Sequence, residues 1–128
     1  MKKGITCGAF DLMHAGHVLM FEEAKTQCDY LIVALQVDPT LDRPEKNKPS
    51  QSVFERYLQL KGCRFVDEII PYDTEKDLFN LLCAIDPDVR IIGEDYRDKH
   101  FTGRELPIKV YYNSRKHPYS SSELRKRL

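Results

Sequence analysis

The sequence has no long apolar run, no excess of charge of either sign and no cysteine pair with C-x-x-C spacing. No stretch approaches the ~18 apolar residues of a membrane-spanning helix, and the amino end lacks the apolar core of a signal peptide. Lysine plus arginine and aspartate plus glutamate number 20 each, so the overall charge does not suggest a nucleic-acid partner or an acidic membrane. We therefore expect a cytoplasmic protein that binds neither nucleic acid nor membrane.

The four cysteines are scattered among apolar neighbours, at Cys7, Cys28, Cys63 and Cys83. This pattern favours buried, reduced thiols over a disulfide framework. The sequence also contains no internal repeat, low-complexity segment or domain linker. Because 128 residues is a usual length for one domain with a real core, we expect residues 1–128 to form a single domain.

Short apolar segments alternate along the chain with segments rich in helix formers. The apolar segments predict five strands, at residues 4–7, 30–36, 66–70, 89–93 and 108–112. Helices are predicted at 18–25, from the Ser52 capping box to about residue 62, from Thr74 onward, and from Ser120 onward. This alternation predicts an α/β fold, namely a Rossmann-like, doubly wound, mainly parallel five-stranded sheet with helices on both faces.

Two histidines, His14 and His17, lie between the first predicted strand and the first predicted helix. Open α/β sheets bind ligands where the carboxyl end of a strand leads into a helix. A helix N-terminus provides unpaired N–H groups and the positive end of the helix dipole, and both favour phosphate. Gly8 and Gly16 would let the backbone approach a ligand closely, because neither has a Cβ. The segment therefore predicts a phosphate site with two titratable donors.

The histidine pair has two simpler interpretations. An H-x-x-H pair can be half of a zinc site, but the other two histidines, His100 and His117, are isolated in the sequence. The pair could also be incidental residues at a helix start. The string Gly-x-Phe-Asp-x-x-His-x-Gly-His at residues 8–17 favours a nucleotide site over both, because strand, glycine turn and helix occur in order.

Residues 8–17 resemble the nucleotidyltransferases that carry an H-x-G-H motif, and in particular their cytidylyltransferase branch. The likeness extends over nearly the whole chain, through residues 28–34, 55–56, 64–71 and 93–96. It is strongest to the glycerol-3-phosphate cytidylyltransferases. The resemblance implies an enzyme that transfers CMP from CTP to a phosphorylated small polyol, releases pyrophosphate and forms a CDP-linked product.

The resemblance also implies the site residues. Four would be catalytic, namely His14, His17, Arg56 and Arg115. Residues that would bind the nucleotide, besides the two histidines and Arg115, are Gly8, Ala9, Phe10, Asp11, Gly16, Arg64, Gly93, Asp95, Ser120, Ser121 and Ser122. Asp95 would accept a hydrogen bond from the cytosine amino group, although a carboxylate there would also suit the amino group of adenine. Asp11 would brace a loop rather than bind a metal.

The polar, proline-containing stretch 38–50 is long for a connection in so small a domain. A solvated surface loop is the simple interpretation, although an active-site cover is a common reason for such a length. By resemblance, a lysine of this loop binds the phosphate of the acceptor, and Lys46 and Lys48 are the two candidates. The pair Arg43-Pro44 with Asn47-x-Pro49 instead resembles adenylyltransferases that act on heptose phosphates.

The sequence around the last predicted helix also leaves open whether the nucleotide is CTP or ATP. Arg115 and the hydroxyl run at 120–122 are kept from the cytidylyltransferase pattern, but the Thr and Gly that lie between them in that pattern are lost. The run Ser-Ser-Ser-Glu-Leu-Arg at 120–125 instead resembles the end of adenylyltransferases. An adenylyltransferase that uses ATP on a sugar phosphate or another phosphorylated acceptor is therefore the alternative. A third possibility is a catalytically silent nucleotide-binding module, which would have no chemical need for the full set of histidines and arginines.

The expected reaction depends on positioning more than on acid–base chemistry. The acceptor phosphate is ionised at neutral pH, so its oxygen can attack the α-phosphorus of the nucleotide without a general base. We expect Mg²⁺, carried mainly by the nucleoside triphosphate and without a dedicated protein site. The expected partners are CTP and a phosphorylated small-molecule acceptor, and the resemblance implies a homodimer.

Overall fold

The computed structural model describes residues 1–114 and 126, and five strands lie in this part of the chain. They are β1 (Lys3–Gly8), β2 (Tyr30–Gln36), β3 (Glu68–Tyr72), β4 (Val89–Gly93) and β5 (Lys109–Asn113). They form one sheet in the order β3-β2-β1-β4-β5, and each neighbouring pair is parallel. The predicted five-stranded sheet is confirmed, and the described strands are all parallel rather than mainly so.

Three α-helices connect the strands, α1 (Ala15–Lys25), α2 (Val53–Lys61) and α3 (Glu75–Ile85). Each begins at a capping box, in which the side chain of the cap residue and that of the third helical residue each accept a backbone N–H. The cap residues are His14, Ser52 and Thr74. Two short 3₁₀ helices follow strand ends, at Pro39–Leu41 and Glu94–Tyr96. The helix predicted from Ser120 falls on residues that lie outside the described part, apart from Lys126.

Both faces of the sheet are apolar, as is typical of buried parallel strands. On one face, Phe21 of α1 and Leu60 of α2 pack with Leu31 and Val33 of β2. On the other face, Leu78 and Leu82 of α3 pack with Ile5, Ile32, Ala34 and Tyr72 from β1, β2 and β3. The expected helices on both faces are therefore confirmed.

The strand order creates a switch point between β1 and β4. From β1 the chain runs outward through β2 and β3, and it then returns to place β4 and β5 on the other side of β1. Crevices that bind ligands in open α/β sheets lie at such points, beyond the carboxyl ends of the strands. Gly8 ends β1 and Gly93 ends β4, the two strands that flank this switch point.

No helix within the described residues is long and apolar enough to cross a bilayer.

Candidate active site

A cavity of about 750 Å³ opens at the switch point. This volume is within the range of cavities that bind small molecules and cofactors. Its walls include the ends of all five described strands, the start of α1, the loop after β2 and the connection between β4 and β5. Eight residues predicted for the site line it, namely Gly8, Ala9, Phe10, His14, Gly16, His17, Lys46 and Gly93.

The histidine pair caps the helix whose N-terminus faces this cavity. The backbone N–H of Gly16 donates to Nδ1 of His14 at 3.0 Å, and the backbone N–H of His14 donates to Nδ1 of His17 at 3.2 Å. The two ring centroids are 4.2 Å apart. Because both Nδ1 atoms accept hydrogen bonds, each neutral imidazole carries its proton on Nε2. The fold therefore fixes two Nε2–H donors side by side at a helix N-terminus.

Phe10 sets the position of His17. The turn between β1 and α1 holds Phe10 at φ 50° and Leu12 at φ 52°, a left-handed conformation that is rare for residues other than glycine. The Phe10 ring contacts the ring of His17 with centroids 5.8 Å apart, and that of Phe21 with centroids 5.4 Å apart. A Cβ on Gly8 would lie 3.3 Å from the Phe10 ring, so the small residue leaves the space in which this ring packs.

Asp11 joins the β1–α1 turn to the end of the 38–50 loop. Its two carboxylate oxygens accept the backbone N–H groups of Ser50 at 2.8 Å and Gln51 at 2.9 Å. In return, the Gln51 side-chain oxygen accepts the backbone N–H of Leu12 at 2.7 Å. These contacts link the β1–α1 turn to the loop through the Asp11 carboxylate, and the part that Asp11 plays in nucleotide binding stays a prediction.

Arg56 has a different environment from the one implied by the resemblance. Its side chain is 2% exposed, and its guanidinium donates to the carbonyl oxygens of Ala9, Gln36 and Val37 at 2.7–2.9 Å. Its Nε also donates to carbonyls of Gln51 and Ser52 at the start of α2. Arg56 does not line the large cavity, and these contacts differ from the expected phosphate contact. Through these contacts Arg56 ties the β1–α1 turn, the end of β2 and the start of α2 together, and its catalytic role stays a prediction.

The remaining predicted residues lie in several places. Lys46 lines the large cavity, whereas Lys48 lines a smaller one of about 360 Å³ beside Asp38 and Arg56. Arg64 is exposed, and its guanidinium lies 4.9 Å from the centre of the Phe65 ring. Asp95 is exposed in the second 3₁₀ helix and does not line the cavity. Arg115, Ser120, Ser121 and Ser122 lie outside the described residues.

The structure adds buried polar side chains that the sequence interpretation missed. Gln36, Arg90 and Asn113 are each at most 5% exposed, and each lines the large cavity. Polar atoms of all three have no hydrogen-bond partner among the described residues, namely Nε2 of Gln36, Nε of Arg90, and both amide atoms of Asn113. An arginine in the apolar run Val-Arg-Ile-Ile was a usable signal, because charged side chains are rarely buried without a partner. Asn113 and Gln36 end their strands, which is where site residues of such sheets lie.

Cys7 lines the cavity, but its environment does not activate it. Burial raises the pKa of its thiol to about 11, so the protonated form dominates at neutral pH. Burial likewise raises the pKa of the neighbouring Tyr72. Among the described residues, Cys28 and Cys63 are buried free thiols, as expected, whereas Cys83 is exposed. The cavity thus offers hydrogen-bond donors and cations rather than a nucleophile.

Comparison with known proteins agrees with this geometry. A family model described as cytidylyltransferase-like matches residues 5–127. Among curated proteins, the bifunctional protein HldE of Campylobacter jejuni serotype O:6 is 34% identical over 93% of the chain, and that of Wolinella succinogenes is 39% identical over 82%. The chain spans only 26% and 22% of the length of these two relatives.

Solved structures share the fold at lower identity. A lipopolysaccharide core biosynthesis protein from Thermoplasma volcanium superposes with a TM-score of 0.74 at 24% identity, covering 89% of this chain and 97% of that one. A putative nicotinate-nucleotide adenylyltransferase from Vibrio parahaemolyticus gives a TM-score of 0.60 at 22% identity, covering 100% and 87%. These similarities show the Rossmann-like arrangement of strands and helices.

Proposed function

The chain belongs to the cytidylyltransferase-like family of nucleotidyltransferases, and we propose from this premise that it transfers AMP from ATP to the phosphate of a sugar phosphate, releasing pyrophosphate. The observation that carries the proposal is the reciprocal cap of α1 by His14 and His17. This cap places two imidazoles, each with its proton on Nε2, and a helix N-terminus at the wall of one cavity.

The residues of the cavity suit this chemistry. The acceptor phosphate oxygen attacks the α-phosphorus, and the bond from that phosphorus to the bridging oxygen of pyrophosphate breaks. Negative charge grows on the departing pyrophosphate, where the histidine Nε2–H groups and the α1 N-terminus stabilise it. Lys46 and Arg43 in the loop after β2 would reduce the repulsion between the two anionic substrates. No nucleophilic side chain is needed, which agrees with the raised pKa of Cys7.

Mg²⁺ would be bound by the oxygens of the triphosphate and by water rather than by a protein ligand set. Among residues 1–114, no group of three histidine, cysteine or acidic side chains is arranged to hold a metal ion. The triphosphate needs no such group, so the residues present are compatible with a metal that arrives with the nucleotide. When bound, the ion would neutralise charge on the phosphates.

Sequence motifs and the curated relatives favour ATP over CTP. The loop pairs Arg43-Pro44 and Asn47-x-Pro49, and the run at 120–125, resemble adenylyltransferases. The HldE relatives are bifunctional by name, and a match to about a quarter of their length would correspond to one of two activities.

CTP with a polyol phosphate such as glycerol 3-phosphate is the second candidate. It is favoured by the segments at 28–34, 64–71 and 93–96, which resemble the cytidylyltransferases. We also propose a homodimer, on the strength of the family resemblance, and a cytoplasmic location, on the strength of scattered cysteines that suit a reducing compartment.

Pyrophosphate release is the direct test of these proposals. The purified protein is incubated with Mg²⁺, with ATP or CTP, and with glucose 1-phosphate, a heptose 1-phosphate or glycerol 3-phosphate. We expect release with ATP and a sugar 1-phosphate, and little with the His17→Ala variant. Release only with CTP and glycerol 3-phosphate would support the second candidate. No release with any pair, together with a melting temperature raised by nucleotide, would instead support a catalytically silent module.

A further inference from the structure

A buried arginine lies deep in the cavity, on the opposite face of the sheet from α1. Arg90 is in register with Ile5, three residues before β1 ends at Gly8, so its Cα lies about 10 Å below the edge of the sheet at 3.3 Å per residue. Parallel partners point to the same face, and Ile5 packs against α3. Arg90 therefore lies on the α3 face, whereas the histidine pair caps the helix that covers the other face.

This arginine is held rigidly by its surroundings. Its Nη1 donates to the carbonyl oxygen of Thr102, and its guanidinium lies over the ring of Phe101 at 4.8 Å. Its Nε is buried with no acceptor among the described residues. Because native proteins rarely leave a buried N–H group unpaired, a ligand oxygen is a natural partner for it.

The part of the cavity on the α3 face of the sheet is called the lobe here. Two further unpaired donors accompany Arg90 in this lobe. Nε2 of Gln36 and Nε of Arg43 are buried and likewise have no partner within residues 1–114. Gln36 lies on the α3 face because it follows Ile32 and Ala34 at the strand period of two. Amide and guanidinium N–H groups from three different segments thus border a single cavity. Such a surface binds oxygen lone pairs.

The charges in this lobe also favour the binding of oxygen atoms. Glu75 accepts from the Thr102 hydroxyl at 3.0 Å and pairs with Arg43 at 3.2 Å. None of the ion pairs within the described residues includes Arg90. The lobe therefore contains two guanidinium groups, those of Arg43 and Arg90, but one carboxylate, that of Glu75, which leaves it positive and rich in donors.

We infer that Arg90 and Gln36 form the floor of an acceptor subsite, which binds oxygen atoms at the end of the acceptor remote from its reacting phosphate. The inference rests on the proposed function, in which the triphosphate lies by His14 and His17 and the acceptor phosphate meets it at the sheet edge. The body of the acceptor then extends down the α3 face. The oxygens can be hydroxyls of a sugar or polyol, or a carboxylate.

The first test compares Arg90→Gln with Arg104→Gln. Arg104 also lies over the Phe101 ring, at 5.5 Å, but it is exposed and does not line the cavity, so it is a matched control. We expect Arg90→Gln to raise the KM for a sugar 1-phosphate by about 10-fold or more while kcat and the KM for the nucleotide change by less than about threefold. Arg104→Gln should leave all three unchanged. An unchanged acceptor KM in Arg90→Gln, or an equal rise for the nucleotide, would overturn the inference.

Gln36→Leu provides a second variant in case Arg90→Gln does not fold. Its folding is checked by the rise in melting temperature with α,β-methylene-ATP and Mg²⁺, which should match that of the wild type. With this analogue bound, glucose 1-phosphate should raise the melting temperature of the wild type further, and 6-deoxyglucose 1-phosphate should do so less. In Gln36→Leu the two sugars should become nearly equivalent. Equal effects of the two sugars on the wild type, or no effect of either, would overturn the subsite.

Glucuronate 1-phosphate distinguishes the two sources of oxygen. A larger effect than that of glucose 1-phosphate would assign the floor to a carboxylate, and a smaller effect would assign it to hydroxyls. Failure of the proposed function is separable from failure of the subsite. A protein that binds these sugars through Arg90 and Gln36 but releases no pyrophosphate would contradict the reaction and retain the subsite.

Discussion

His14 and His17 cap the same helix through their Nδ1 atoms, which leaves both imidazole protons on Nε2. In a neutral histidine the proton normally exchanges between the two ring nitrogens. A nitrogen that carries this proton only part of the time is an inefficient hydrogen-bond donor to a substrate. Here the backbone N–H groups of Gly16 and His14 select the tautomer before any substrate binds. The fold thereby prepares two donors for a charge that develops only in the transition state.

Asparagine at position 14 should separate capping from catalysis. Its side-chain oxygen can replace Nδ1 as the acceptor for the Gly16 N–H, because asparagine is a good N-cap, but it has no group at the position of Nε2. We expect His14→Asn and His14→Ala to lower kcat alike, by about 10²-fold or more. In urea denaturation, only His14→Ala should lose about 1 kcal/mol of unfolding free energy. A His14→Asn protein with normal turnover would contradict the donor role.

Arg56 should prove to be a stability residue. Replacing it with methionine leaves the buried carbonyl oxygen of Gln36 and the partly buried ones of Ala9 and Val37 without their donor. Each unsatisfied buried group is destabilising by about 1–3 kcal/mol, so we expect a loss of about 3 kcal/mol or more in unfolding free energy. Thermal denaturation of Arg56→Met against the matched surface variant Arg64→Met measures this. A normal melting temperature with weaker nucleotide binding would instead support the phosphate contact implied by the family resemblance.

Lys46 and Lys48 should differ in their effect on acceptor binding. Lys46 lines the large cavity, whereas Lys48 lines the small one beside Asp38 and Arg56. We therefore expect Lys46→Ala to raise the KM for the acceptor phosphate by about 10-fold, the scale of a charge-assisted hydrogen bond, and Lys48→Ala to change it by less than about twofold. Steady-state kinetics at saturating nucleotide would measure both. A larger effect of Lys48→Ala would mean that the loop binds its substrate from the other side.

Much of the fold follows from local pattern, and the site follows from it only in part. The apolar runs and capping boxes at Ser52 and Thr74 locate strands and helices because these are signals of neighbouring residues. The parallel sheet and the place of the histidine pair at a strand end could also be expected, since topology places the carboxyl ends of parallel strands together. The role of Arg56 could not, because its five acceptors come from three segments that only the tertiary fold assembles. The proposed roles of Arg90 and Gln36 could not be predicted either, because they depend on the strand register and on the face of the sheet on which each side chain lies.

Cys7 should react slowly although it lies in the cavity. Burial raises its pKa to about 11, so the thiolate, which is the reactive form, is scarce near pH 8 and increases as the pH rises toward that value. Cys83 is exposed on α3 and is the internal control. We expect iodoacetamide at about pH 8 to label Cys83 well before Cys7, as read by peptide mass spectrometry. Equal rates would mean that Cys7 is neither as buried nor as protonated as its surroundings indicate.

Asn113 should recognise the base of the nucleotide. Its side chain is 1% exposed at the end of β5, beside Gly93 in the register, and its amide oxygen and nitrogen have no partner within residues 1–114. An amide with one acceptor and two donors complements the amino group and the ring nitrogen of adenine. Asn113→Leu is similar in size but cannot form these hydrogen bonds, so we expect nucleotide affinity to fall by about 10-fold or more. Isothermal titration with α,β-methylene-ATP measures this, and Asn80→Leu, at an exposed position on α3, is the control. Unchanged affinity in Asn113→Leu would remove Asn113 from the nucleotide site and leave its buried amide without a ligand role.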